Sequence, residues 1–301
     1  MKDIKQKIKY RCPEVLADHI CGRGVVTAVL DTGVQMHPDL KNRIIGWKDM
    51  VKHREEMYDD NGHGTHIAGI IAGNGACSNG IYAGIAPESK IVSVKVLDYA
   101  GNGKIDDVIE GIRFVLEMRE KWNIRIVNIS MGTERHEGRK DEEELLKWVE
   151  RMWDVGMVVI TAAGNMGPDY GSVTIPGASK KVITVGACDA VYNKRRPNPN
   201  FYSGCGPTKE CVIKPDICAP GNQIFSCNFR YPLRSKKPYI AKTGTSMATP
   251  VIAGATALLL EKYPKMSNVE VKMRLWESGD DMGLGGNSQG HGLINIGKYL
   301  K

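Results

Sequence analysis

No Cys-x-x-Cys pair occurs in the chain, although it holds eight cysteines. That absence argues against a zinc ribbon or a thioredoxin-type dithiol. No apolar segment follows the basic start MKDIKQKIKY, so it does not read as a secretory leader. The most apolar run, Val251–Leu260, is too short to span a bilayer and is interrupted by Gly254. These gaps favour a cytoplasmic protein with no membrane partner; a secreted chain trimmed of its leader is the alternative. Aromatic platforms are missing from the basic clusters at Lys2, Lys5, Lys7, Lys9 and Arg11, at Lys194–Arg196 and at Arg234, Lys236 and Lys237, despite a net charge of +7. A solvated basic surface fits them better than a nucleic-acid groove. Repeats, low-complexity stretches and linkers are also missing. The economical division is a short extension over residues 1–24 and one domain over 25–301.

Four cysteines crowd into Cys205–Cys227, a grouping that suits a disulfide or a metal as well as free thiols. Without an export signal, free thiols are expected, several of them buried as small apolar groups.

What is present is an alternation of buried strands and amphipathic helices. The runs 25–30, 91–97, 124–130, 158–162 and 182–186 are apolar and β-branched without polar alternation, as strands covered on both faces are. Between them, 106–122 and 141–155 carry apolar residues at helical spacing. Asp106 or Asp107 is suited to cap the first, and Gly156 to stop the second. Strand–helix–strand alternation predicts crossover units and a parallel sheet. The stretch 192–239, rich in Pro, Lys, Arg and Cys, reads as loops and short strands.

Three segments place reactive side chains at an edge of this sheet. In Val29-Leu30-Asp31-Thr32-Gly33 a carboxylate directly follows an apolar strand, where the catalytic groups of parallel sheets gather. In Asn61-Gly62-His63-Gly64-Thr65-His66, small residues flank His63, and Ile67, Ile70 and Ile71 begin a buried helix. In Gly244-Thr245-Ser246-Met247-Ala248-Thr249-Pro250, a helix apolar on nearly all sides follows, and Pro250 is expected in its first turn. Ser246 then stands at the helix start, its own N–H directed where an anion can be held. Singly, each has an ordinary structural reading: a turn-forming Asp, a packed His, a capping Ser. Together they supply the orienting acid, base and nucleophile of acyl transfer.

The blocks VLDTGV, NGHGTHIAG and GTSMATP resemble the three motifs of the subtilisin family, in that family's order. The similarity runs from Val25 to Leu260 and on towards Leu300. It includes HPDL, GIAP, VSVKVLD, NISMG, TAAGN and KPDICAPG, and it is nearest to the intracellular, propeptide-poor bacterial type. It implies a three-layer α/β domain: a mostly parallel, seven-stranded sheet with helices on both faces. It also implies a serine endopeptidase acting on peptides or proteins. Asp31, His63 and Ser246 fall on the triad and Asn165 on the side-chain oxyanion donor. Gly101-Asn102-Gly103 and Ser130-Met131-Gly132 match the edges that pair with substrate backbone, and Ala163, Gly164 and Val173–Gly177 the pocket before the cut. The chemistry needs no cofactor. The family's calcium site uses a carboxylate matching Asp39 and the loop after the His63 helix. Here that loop, 73–83, offers only amide, hydroxyl and carbonyl oxygens, which argues against a cation that prefers several carboxylates. Two alternatives accompany the main reading: a narrow processing protease, and a non-catalytic regulator on the same fold.

Overall fold

The computed structural model describes residues 1–133, 139–189 and 202–301. The basic cluster Lys194–Arg196 and the start of the 192–239 stretch lie outside the described residues. In chain order the elements are α1 (Lys2–Lys7), α2 (Pro13–Leu16), β1 (Val26–Asp31), β2 (Ile44–Asp49), α3 (His63–Ala72), β3 (Lys90–Lys95), α4 (Ile105–Met118) and β4 (Ile124–Ile129). They continue with α5 (Lys140–Asp154), β5 (Val158–Ala162), β6 (Ile183–Ala187), β7 (Ile217–Ala219), β8 (Ile224–Cys227), β9 (Tyr239–Lys242) and α6 (Thr245–Lys262). The chain closes with α7 (Asn268–Glu277), β10 (Gly279–Asp280), α8 (Gly286–Gln289), β11 (Leu293–Ile294) and α9 (Ile296–Tyr299).

The main sheet runs β10-β11-β7-β6-β5-β4-β1-β3-β2, nine strands where the sequence reading expected seven. The stretch from β2 to β7 is wholly parallel. The additional two strands are two-residue pieces, β11 parallel to β7 and β10 antiparallel to β11, too short to leave a periodic signal. β8 and β9 form a separate antiparallel ribbon.

Strand alternation assigns the layers. Leu30 of β1 faces α4, since a Cβ built on Gly111 would meet Leu30 and Val94. Asp31 points to the opposite face and contacts His63 of α3. α6 packs beside α3 and beneath β4, β5 and β6, while α5 packs with α4 and β5. The sheet is therefore sandwiched, and β1, β4, β5 and β6 are almost wholly buried, as continuous apolar runs require. Residues 1–24 share this core: Ile4, Ile8 and Cys12 are buried, and the Tyr10 hydroxyl donates to the Ile85 carbonyl at 2.9 Å.

Two local expectations are corrected. Lys104, without a side-chain cap, precedes α4; Asp106 and Asp107 lie inside its first turn, where their charge still complements the helix dipole. Pro250 lies one turn inside α6 rather than in its first turn. Its ring nitrogen cannot donate to the Ser246 carbonyl one turn back. α6 holds this defect through burial, with Val251, Ile252, Ala253, Leu258 and Leu259 fully enclosed. Among the described residues no helix is long and apolar enough to cross a membrane. All eight cysteines are free thiols.

Candidate active site

β1 ends at Asp31, whose carboxylate is 1% exposed. His63 opens α3, and its Nδ1 lies 2.7 Å from Asp31 Oδ1 and 2.9 Å from Oδ2. Nδ1 thus carries the hydrogen, directed at the carboxylate. Nε2 is then the basic nitrogen; among the described residues it has no partner, and the side chain is 22% exposed. A buried carboxylate, fixing an imidazole whose other nitrogen is left open, orients a base and stabilises its charged form.

The sequence reading missed what brings β1 and α3 together. Asp59, buried, accepts from Thr32 Oγ1 (2.9 Å), Asn61 N (3.1 Å), Gly62 N (2.7 Å), Thr65 N (2.9 Å) and Thr65 Oγ1 (2.6 Å). Thr32 Oγ1 in turn accepts from Gly64 N at 2.9 Å. One carboxylate therefore organises the turn before His63 and ties it to the residue after Asp31. Its signal in the sequence is the local spacing Asp-x-x-Gly of an Asx turn. Gly62 has φ +94°, and a Cβ on Gly64 would lie 2.1 Å from the Gly33 carbonyl oxygen, so both positions require glycine.

Lys95 was also missed, although a lysine inside an apolar strand is a signal. It is fully buried opposite Asp31 in the sheet register. Its ammonium donates to Thr32 O (2.7 Å), Leu97 O (2.8 Å) and Asp60 Oδ1 (2.7 Å), satisfying all three protons. Burial alone would raise the Asp60 carboxyl, but the hydrogen bond and charge of Lys95, joined by a backbone N–H and Lys52, together outweigh it and the group titrates below its usual range.

Ser246 is the second residue of α6, partly exposed. Asn165, exposed beyond β5, accepts from Thr245 N (2.9 Å) and Thr245 Oγ1 (3.0 Å) through Oδ1. That fixes the amide and leaves Nδ2 without a partner among the described residues. A Cβ built on Gly244 would lie 3.4 Å from Asn165 Nδ2 and 3.7 Å from Ser246 N, so both donors border one space. Two N–H donors bordering one small gap are suited to an oxygen that gains negative charge.

Gly101, Asn102, Gly103, Met131 and Gly132 line one cavity of about 230 Å³, whose walls include Leu97, Ile105, Val108 and Leu145. Ser130 lies beneath it, buried, with Asn128 Nδ2 donating to its hydroxyl at 2.8 Å. Ala163 and Gly164 are joined to these edges through Thr174 and Ile175. Thr174 N donates to Ala163 O at 3.0 Å, Ile175 bridges Thr133, and Cβ atoms on Gly132 or Gly164 would strike Thr174 Oγ1.

Asp39 is buried and does not fit a calcium ligand set. Its oxygens accept from Cys77 N (2.9 Å) and the Tyr239 hydroxyl (2.7 Å). The carbonyls of Gly73, Gly75, Ser78 and Gly80 accept backbone N–H groups within the following loop. Donor atoms of His37, Asp39 and Cys77 approach within 4.8 Å of one another. Yet His37 Nδ1 accepts from Asp39 N at 3.1 Å, and Nε2 meets the Pro238 carbonyl at 2.9 Å, so the imidazole is already committed. Burial and the neighbouring Asp39 push the Cys77 thiol up to about 11, away from the thiolate a metal needs.

A family model described as the subtilase family matches residues 22–292. Serine protease AprX of Bacillus subtilis (strain 168) is 43% identical, over 87% of this chain and 62% of AprX. This chain therefore spans somewhat less than two thirds of that relative. Subtilisin Savinase of Lederbergia lenta is 35% identical, over 92% of this chain and 90% of its own length. The solved structure of Sphericase superposes with a TM-score of 0.77 at 28% identity, covering 91% of this chain and 92% of Sphericase.

Proposed function

Because the chain belongs to the subtilase family, we propose that it is a serine endopeptidase, hydrolysing peptide bonds through Ser246, His63 and Asp31. The observation that carries this reading is the Asp31–His63 pair, with the carboxylate on Nδ1 and Nε2 left open.

Ser246 Oγ attacks the scissile carbonyl while His63 Nε2 takes its proton, and Asp31 stabilises the imidazolium. The oxyanion collects on Asn165 Nδ2 and Ser246 N, which border the gap at Gly244. His63 then gives its proton to the leaving amine, and the C–N bond breaks. Water, deprotonated by His63, attacks the acyl-enzyme and frees the acid and Ser246. Substrate backbone lies between Gly101–Gly103 and Ser130–Gly132. These main-chain edges recognise an extended peptide with little regard to its sequence. These steps use only groups of the chain and water and call for no metal or organic cofactor.

Digesting a diverse peptide library and sequencing the cut sites tests the reading, with Ser246→Ala as the control. Internal cleavage by the parent and none by the variant is expected. Equal cleavage by both overturns the mechanism.

A further inference from the structure

The basic stretch between β8 and β9 has no part in the chemistry above. Arg230, Arg234, Lys236 and Lys237 follow one another there with no acid between them. Arg230 and Arg234 are exposed and line a cavity of about 320 Å³ together with Tyr58, Asp60, Phe229 and Leu233. Among the described residues neither guanidinium makes an ion pair; that of Arg230 lies 5.4 Å from the centre of the Phe229 ring. The carboxylates of this wall are engaged with other groups. Asp60 meets Lys95 and Lys52, and Asp59 is enclosed by its five donors. The cavity therefore carries two arginines that, among the described residues, pair with neither of its carboxylates, although Asp59 keeps its negative charge because its five donors are neutral.

Its position is fixed by the residues before His63. Asn61 reaches one way, donating to Tyr99 O at 2.9 Å beside the Gly101 edge. Gly62 faces the other way: a Cβ there would lie 2.1 Å from Phe229 Cδ1. The segment carrying the base thus separates the cavity between the backbone edges from the arginine-lined one, and the two share no residue. With the acyl half of a substrate on the edges, the leaving half departs past His63, the group that protonates its amine. We propose that the Arg230–Arg234 cavity receives the peptide segment on the leaving side of the cut and selects acidic side chains there. The inference rests on the endopeptidase reading. A carboxylate fits a guanidinium through paired N–H donors, and Phe229 and Leu233 supply an apolar wall for its methylenes.

The test uses three peptides identical up to the cut, with Ala-Ala, Asp-Asp or Lys-Lys after it. kcat/KM should be roughly two- to five-fold higher for Asp-Asp than for Ala-Ala, the range of exposed charge pairs, and lowest for Lys-Lys. The preference should shrink at about 0.5 M salt. Arg230→Ala with Arg234→Ala should bring the Asp-to-Ala ratio towards one, and Arg230→Glu with Arg234→Glu should reverse it. A ratio compares substrates on the same protein, so loss of folded enzyme does not move it. Equal rates for the three peptides, or a ratio unchanged in the variants, overturn the proposal while the endopeptidase reading stands. No cleavage of any of them overturns both.

Discussion

Asn165 is committed at one end and free at the other, because Thr245 occupies Oδ1 while Nδ2 faces the gap beside Ser246. A donor placed for the oxyanion strengthens its bond only as the tetrahedral intermediate forms, so its loss lowers kcat rather than raising KM. Asn165→Ala should reduce kcat roughly 100- to 1,000-fold, the range measured for the oxyanion-hole asparagine of a subtilisin. Active-site titration beside a melting curve checks it. Full kcat with a lowered melting temperature would make Asn165 a turn residue only. Asp31, His63, Ser246 and Asn165 can be singled out from the sequence as candidates because their neighbours are diagnostic: a strand before Asp31, glycines around His63, an apolar helix after Ser246. The roles of Asp59 and Lys95 arise only when separate segments meet, so the sequence reading did not reach them.

The element that carries the base is itself pinned by a second histidine. His66 is fully buried in α3, and its Nε2 donates to the carbonyls of Ile224 and Ile240 at 3.0 and 3.1 Å, tying the helix to β8 and β9. Burial first, then the charges of Lys242 and His63, lower its pKa from 6.5 to about 3. The folded state therefore keeps His66 neutral over a range in which the unfolded chain protonates it. Stability attributable to this group is complete above about pH 6.5 and is lost as pH falls towards about 3, by about 1.4 kcal/mol per unit. Urea unfolding between pH 7 and 4 should show this slope, and His66→Gln should flatten it while keeping an N–H donor. An unchanged slope in the variant would contradict the assignment. The long apolar strands and the helices α4 and α5 were readable from periodicity. The ribbon β8–β9 was read only as loops and short strands, since it is held by cross-links such as His66 rather than by its own pattern.

Across the whole molecule, the parallel sheet sets the end of β1 beside α3, where Asp31 meets His63, and the turn after β5 beside the start of α6, where Asn165 meets Thr245. The order of motifs made this arrangement legible; the two C-terminal strand pieces and the packing of residues 1–24 into the core depend on tertiary contacts and were not. The loop 73–83 is closed by its own backbone and by the Asp39–Tyr239 contact, so stability should not depend on calcium. The melting temperature should be the same with a chelator as with added calcium, whereas a fall of several degrees on chelation would place a cation at Asp39. The central claim is that one serine, activated by His63, does the chemistry. The most direct measurement is reaction with a fluorophosphonate, followed by peptide mapping of the adduct. The account predicts a single adduct on Ser246, absent in Ser246→Ala and strongly reduced in His63→Ala. An adduct on another residue, or labelling of Ser246 that does not depend on His63, would contradict it.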